Sequence, residues 1–262
     1  MHILSREFGG LHWREDGDPN GVPLVFVNSL GTDLRLWDAV MPHLSHSHRI
    51  IRYDLRGHGL SDGPDGPYAM KGLAQDAAAL MDTLDIQNAL IVGCSIGGMI
   101  GKMLAATRPD LVGALMTCTS AARMGTPDMW QDRIAAVQQG GLAPVADGVM
   151  ARWFSPAFQL RPEIALWRNM LRATSVDGYV GSCHALLAAD LTEATAALTM
   201  PVLAVAGGED LACPSDHVRA MVASIAGARY HEFAGVGHLP SVEVPDSLGR
   251  LISNFTKEVF HD

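Results

Sequence analysis

Recurring apolar runs of strand length constrain the fold of this chain more than any other feature: "VPLVFVN", "HRIIRYD", "NALIVG", "LVGALMTC" and "PVLAVAG". A strand with one wet face alternates apolar and polar residues, whereas a near-continuous apolar run is buried on both faces. Sheets built from such strands need helices on either side. The intervening segments supply them, with apolar residues every three or four positions over about residues 33 to 46, 69 to 84, 96 to 107, 215 to 225 and 244 to 257. Strand alternating with helix predicts an α/β chain wound around a mostly parallel sheet. A more mixed run, "ARYHEFAG", ends the strand series, and "ILSREFGGLHWRED" at the start predicts a hairpin around Gly9 and Gly10.

One region breaks the alternation. From Ser120 to about Asp190 no buried strand is evident, while short helical patterns recur and Trp130, Trp153 and Trp167 fall there. A loop of that length without structure of its own is unusual in a compact domain. The expected organisation is therefore a core over 1–120, a helical insertion over 121–190 lying on the C-terminal edge of the sheet, and a return to the core over 191–262.

The run "IVGCSIGGMI" at 91–100 places G-x-S-x-G at 93–97, between a strand and a helix that Pro109 ends. The spacing has a mechanical reason. A serine on a sharp strand-to-helix turn sits on strained backbone, and only small residues two before and two after it let the chain close. Gly93 and Gly97 fill those places, leaving the Ser95 hydroxyl exposed above the sheet, with the N–H of Ile96 aimed the same way. Two rival glycine motifs fail. A phosphate-binding P-loop needs Gly at Ile96 and Ser or Thr at Met103, and the dinucleotide fingerprint has no match.

A serine nucleophile needs a base, and the base needs an orienting acid, here following in the order Ser, acid, His at the ends of later strands. After "PVLAVAG" comes "GEDLACP" and after the last strand comes "AGVGHLPSVE", which nominates Asp210 and His238. Glu209 is the alternative acid, and a turn-capping role is the alternative for Asp210. His217 falls in a helical pattern and His231 in a strand, so neither competes with His238. The second oxyanion donor belongs in "VNSLGTDLRLW", where the N–H of Leu30 is the first choice and Ser29 the second. Cys94, beside the elbow, is expected to be a buried small hydrophobe. The run "PHLSHSH" at 42–48 lacks a carboxylate or cysteine partner and is expected to be a solvated helix end, not a metal site.

Composition narrows the partners. A formal net charge of −9 is the wrong sign for a nucleic-acid backbone. The start "MHILSREFGG" lacks the pattern of a secretory signal, no stretch approaches a membrane span, and the cysteines at 94, 118, 183 and 213 form no CxxC pair. A cytoplasmic chain with reduced thiols, binding neither nucleic acid nor membrane, is the expectation.

The chain resembles the α/β-hydrolases and, more narrowly, the 3-oxoadipate enol-lactonases of the β-ketoadipate pathway. The carrying segments are "NSLGTDLRLW", "RYDLRGHGLSD", "GCSIGG", "SAARMGTPDMW", "RWF" and "AADL". "DLRGHGLSD" and "GCSIGG" belong to the superfamily at large, whereas "NSLGTD" and "SAARMGTP" look like the lactonases. The resemblance implies an α/β-hydrolase fold with the insertion as a cap, and an enzyme that opens a small carboxylated lactone without metal or organic cofactor. Because the substrate carries a carboxylate and the protein is acidic, a local cation is needed. Arg133 is the first choice and Arg123 the next, with Trp153 and Trp130 as further pocket residues. An esterase or carbon–carbon hydrolase of the same fold is the alternative, and a non-catalytic receptor on that scaffold a third. A haloalkane dehalogenase is excluded, since it needs aspartate where Ser95 stands.

Overall fold

The computed structural model describes residues 1–44 and 48–260. The chain opens on β1 (His2–Arg6), β2 (Gly9–Gly17), β3 (Val22–Val27) and β4 (His48–Tyr53), followed by α1 (Met70–Thr83), β5 (Ala89–Cys94), α2 (Ile96–Thr107) and β6 (Val112–Cys118). Six helices come next: α3 (Pro127–Gly140), α4 (Ala146–Trp153), α5 (Pro156–Gln159), α6 (Ile164–Ala173), α7 (Val176–Ala188) and α8 (Thr192–Ala196). The chain then returns through β7 (Val202–Gly207), α9 (Ser215–Ala223), β8 (Arg229–Phe233), α10 (Pro240–Glu243) and α11 (Pro245–Phe260).

The strands form one eight-stranded sheet in the order β1-β2-β4-β3-β5-β6-β7-β8. Strand β2 runs antiparallel to both β1 and β4, and every later pairing is parallel. Every residue of β5 and β7 is buried, as a strand covered on both faces requires. The antiparallel start is a hairpin whose turn falls at Glu7 and Phe8. Gly9 and Gly10 already pair with Arg6 and Ser5, so the turn falls before the two glycines expected to form it.

Over the described part of the expected helix at 33–46, residues 33–44, no α-helix forms. In its place stand two single 3₁₀ turns, Leu34–Trp37 and Met41–His43. Pro42 has no N–H to donate and crowds the carbonyl one turn earlier, so a continuous α-helix cannot pass it. The Asp33 side chain accepts from Arg35 N, and Asp54 Oδ1 accepts from Leu34 N at 2.7 Å, which fixes the first turn by side chains from outside it. The apolar spacing that imitated a helix instead packs Leu34, Leu36 and Trp37 into the core. The histidine run also departs from its expected place at a helix end. His43 belongs to the second 3₁₀ turn, His48 is buried in β4, and the part at 45–47 lies outside the described residues.

Between β6 and β7 the described residues contain helices and no strand. Among the described residues no helix is long and apolar enough to cross a membrane.

Candidate active site

Strand β5 ends at Cys94, and the next residue reverses the chain. Ser95 has φ 57° and ψ −117°, a left-handed conformation that L-residues rarely adopt. The close approaches that hold this turn explain the glycines around it. A Cβ on Gly93 would lie 2.3 Å from Gly97 O, and one on Gly97 would lie 2.3 Å from Val27 O. The elbow is thus wedged against the end of β3, and Ser95 N donates to Cys118 O at 2.9 Å.

The two neighbours at the elbow have different surroundings. Ser95 lines a cavity of about 50 Å³, together with Ser29, Leu30 and His238. Cys94 is fully buried, its Sγ 3.5 Å from Thr119 Oγ1 and 3.8 Å from His238 O. Burial pushes its thiol up to about 12, the Thr119 hydrogen bond only partly offsetting it, so the reactive thiolate is scarce at neutral pH.

His238 and Asp210 meet across the ends of β7 and β8. The imidazole Nδ1 lies 2.7 Å from Asp210 Oδ2, and both side chains are almost fully buried. The other carboxylate oxygen, Oδ1, accepts from Ala212 N at 2.7 Å and Cys213 N at 2.9 Å. Asp210 therefore closes its own turn and holds the imidazole at once. With Nδ1 engaged by the carboxylate, Nε2 is the nitrogen left for proton transfer. Glu209, the alternative acid, is exposed. The backbone of His238 is equally fixed: its N–H donates to Trp153 O at 2.7 Å, and its carbonyl accepts from Thr119 Oγ1 at 2.8 Å.

Of the two expected oxyanion donors, Leu30 lines the cavity with Ser95, and Ile96 follows Ser95 as the first residue of α2. Asn28 anchors the loop of the first by donating from Nδ2 to Tyr53 O, while its Oδ1 accepts from Trp37 Nε1. The Ser29 carbonyl is occupied by Thr32, which donates from N and Oγ1. Leu30 and Ile96 N–H groups donate to no backbone carbonyl among the described residues, which leaves both available to a ligand.

The segment between β6 and β7 furnishes further lining: Met124, Met129, Trp130, Arg133, Val149, Arg152, Trp153, Tyr179 and Leu186. Arg133 donates to Tyr179 Oη at 3.1 Å, and Trp130 Nε1 donates to Met124 O at 2.7 Å. Arg123 lies elsewhere. It is half exposed, pairs with Asp190 at 3.7 Å, and does not line the cavity. Sequence reasoning missed Arg152 and Tyr179. Arg152 stands inside the quoted "RWF" segment, next to a tryptophan already singled out, so adjacency on one helix was the available signal. Tyr179 sits in an unremarkable apolar helix and offered none. Burial, with a smaller contribution from the nearby Arg133 charge, lowers the affinity of Arg152 for its proton. Two guanidinium groups thus share one small, mostly apolar cavity with no carboxylate paired to either among the described residues.

The parallel sheet, the strained serine elbow and a carboxylate-held imidazole at the ends of successive strands define a hydrolase-type scaffold. Residues 22–245 match the family described as alpha/beta hydrolase fold, and the chain belongs to it. Among relatives, 3-oxoadipate enol-lactonase 2 of Acinetobacter baylyi is 35% identical over 79% of this chain and 78% of its own. 3-oxoadipate enol-lactonase 1 of the same organism is 30% identical over 98% of this chain and 97% of its own. Among solved structures, the enol-lactonase from Burkholderia xenovorans LB400 superposes with a TM-score of 0.94 at 36% identity, covering 98% of this chain and 100% of that one.

Proposed function

We propose that this protein is a serine hydrolase that opens a small carboxylated lactone, 3-oxoadipate enol-lactone being the substrate that the enol-lactonase relatives favour. One observation carries the reading: a serine on a strained elbow and a carboxylate-held histidine line the same cavity. Ser95 is the nucleophile, His238 the general base and Asp210 its orienting acid. His238 takes the Ser95 proton as Oγ attacks the lactone carbonyl, and the oxyanion forms against the N–H groups of Leu30 and Ile96. The ring carbon–oxygen bond breaks with the electron pair leaving on the enolate oxygen, which His238 protonates. Water, deprotonated by the same imidazole, releases the acid from Ser95, and the enol tautomerises to the ketone. Besides substrate and water, these steps use only the chain's own groups.

The residues 121–190 form the cap of this enzyme, and Arg133 with Arg152 supplies the cation for the substrate carboxylate. Trp130 and Trp153 wall the pocket. A cavity of about 50 Å³ suits a small ligand better than a drug-sized one, for which pockets run to roughly 300 Å³ and more. The four free, buried cysteines fit the cytoplasm as its compartment. The test is loss of enol-lactone absorbance with purified protein, run beside a neutral aryl ester and with Ser95→Ala as control. Serine-dependent turnover of the ester alone would move the assignment to an esterase.

A further inference from the structure

The loop that carries His238 is tied to the cap through one side chain that the mechanism does not use. Glu243, at the end of α10, accepts through Oε1 from Gly237 N at 2.9 Å and from Ser155 N at 3.1 Å. Its Oε2 accepts from Ser155 Oγ at 2.5 Å. Beside this clamp His238 N donates to Trp153 O, and Gly237 packs so closely that a Cβ there would lie 2.7 Å from Trp153 O and 2.8 Å from Ser155 N. Residues 153–155 and 237–238 are therefore held as one piece. Its cap side continues directly into Arg152 and Trp153 of the cavity wall, and its other side is the histidine.

We propose that Glu243 is a positioning residue: it sets the register of His238 by locking the base's loop to the wall of the cap. The proposal rests on the Ser95–His238 reading for its kinetic consequence, though not for its structural one. A buried N–H left without an acceptor is costly, so loss of the carboxylate forces Gly237 and Ser155 to seek other partners. Any such shift moves the imidazole relative to Ser95, which lines the same cavity. A displacement near 1 Å in such a site lowers the rate by about a hundredfold.

The experiment compares Glu243→Met, Glu243→Gln and Ser155→Ala in the full chain. Methionine keeps the bulk of the side chain and removes both acceptors. Glutamine keeps the clamp, because its oxygen can accept from the two N–H groups while its amide donates to Ser155 Oγ. With a small neutral ester, Glu243→Met should lower kcat roughly ten- to a hundredfold with a smaller change in KM, and Glu243→Gln should restore most of it. In proton NMR the downfield resonance of His238 Nδ1–H should shift or broaden in Glu243→Met well below its melting temperature, and remain in place in Glu243→Gln. Should Glu243→Met not fold, Ser155→Ala removes the hydroxyl leg alone and should move the same resonance in the same direction by less. A wild-type resonance in both of these variants overturns the proposal, as does a Glu243→Gln protein as impaired as the methionine variant. Failure of the hydrolase reading looks different: the wild-type protein would then show no turnover that depends on Ser95, while the resonance comparison would still decide the role of Glu243.

Discussion

Asp210 divides its carboxylate between two tasks, holding His238 Nδ1 at 2.7 Å with one oxygen and the N–H groups of Ala212 and Cys213 with the other. Because the turn and the imidazole share one anion, the tautomer that leaves Nε2 free is built into the backbone. Replacing Asp210 with Asn should lower kcat by about 10⁴-fold, since an amide nitrogen facing Nδ1 favours the wrong tautomer. The Ala212 and Cys213 N–H groups still find the amide oxygen, so circular dichroism should show a folded protein. Glu209→Gln, at an exposed position, should leave the rate near wild type. Near-normal turnover in Asp210→Asn would remove Asp210 from the mechanism.

The elbow predicts a sharp contrast between adjacent residues. Ser95→Ala should reduce kcat by about 10⁶-fold, the loss typical when a triad nucleophile is deleted. Cys94→Ala should keep most of the activity, because its thiol is buried and held protonated. A Cys94→Ala protein without activity, beside an active Ser95→Ala, would reverse the assignment of the nucleophile.

Selectivity should reside in the arginine pair. Arg133→Met and Arg152→Met should each raise KM for the carboxylated lactone far more than for a neutral ester of similar size. A charge-assisted hydrogen bond contributes about 1.5 to 3 kcal/mol, or roughly ten- to 150-fold in affinity. Arg123→Met should change neither, since that side chain is half exposed and paired with Asp190. Equal losses on both substrates would mean that the two guanidinium groups support the cap and do not read the ligand's charge.

Much of this arrangement was legible in the sequence because it is enforced by backbone. Strands β3, β5, β6 and β7 read as near-continuous apolar runs since both faces are covered, and the elbow read as G-x-S-x-G because a Cβ on Gly93 or Gly97 would come within 2.3 Å of backbone. What could not be read depends on side chains arriving from distant elements. The 3₁₀ turn at Leu34–Trp37 is fixed by Asp54, twenty residues away, and so passed for a helix. Arg152 and Arg123 look alike as letters, yet one enters the cavity and the other meets Asp190 at the surface. Glu243 stands in the quoted "AGVGHLPSVE", but its partner Ser155 is 88 residues away.

Lys102 gives a prediction that does not depend on catalysis. Its side chain on α2 is fully buried, with Nζ 3.0 Å from Ser120 Oγ and 3.5 Å from Met221 Sδ, and no carboxylate pairs with it among the described residues. Burial lowers its pKa from 10.5 to about 7. Between those two values the unfolded chain carries a proton that the folded chain does not, so folding releases it and stability rises with pH across the window. Below about 7 the folded state must carry a buried charge, and the full penalty applies. Lys102→Met fills the same space without an ionisable group. It should therefore stabilise the protein at pH 6 by up to several kcal/mol, given about 1.4 kcal/mol for each pKa unit. The gain should shrink as pH rises from 7 toward 10. Urea denaturation of both proteins at pH 6, 8 and 9.5 measures the difference directly. A stability difference that is constant over that range would mean that Lys102 keeps its charge in the folded protein and that water or a hidden partner solvates it.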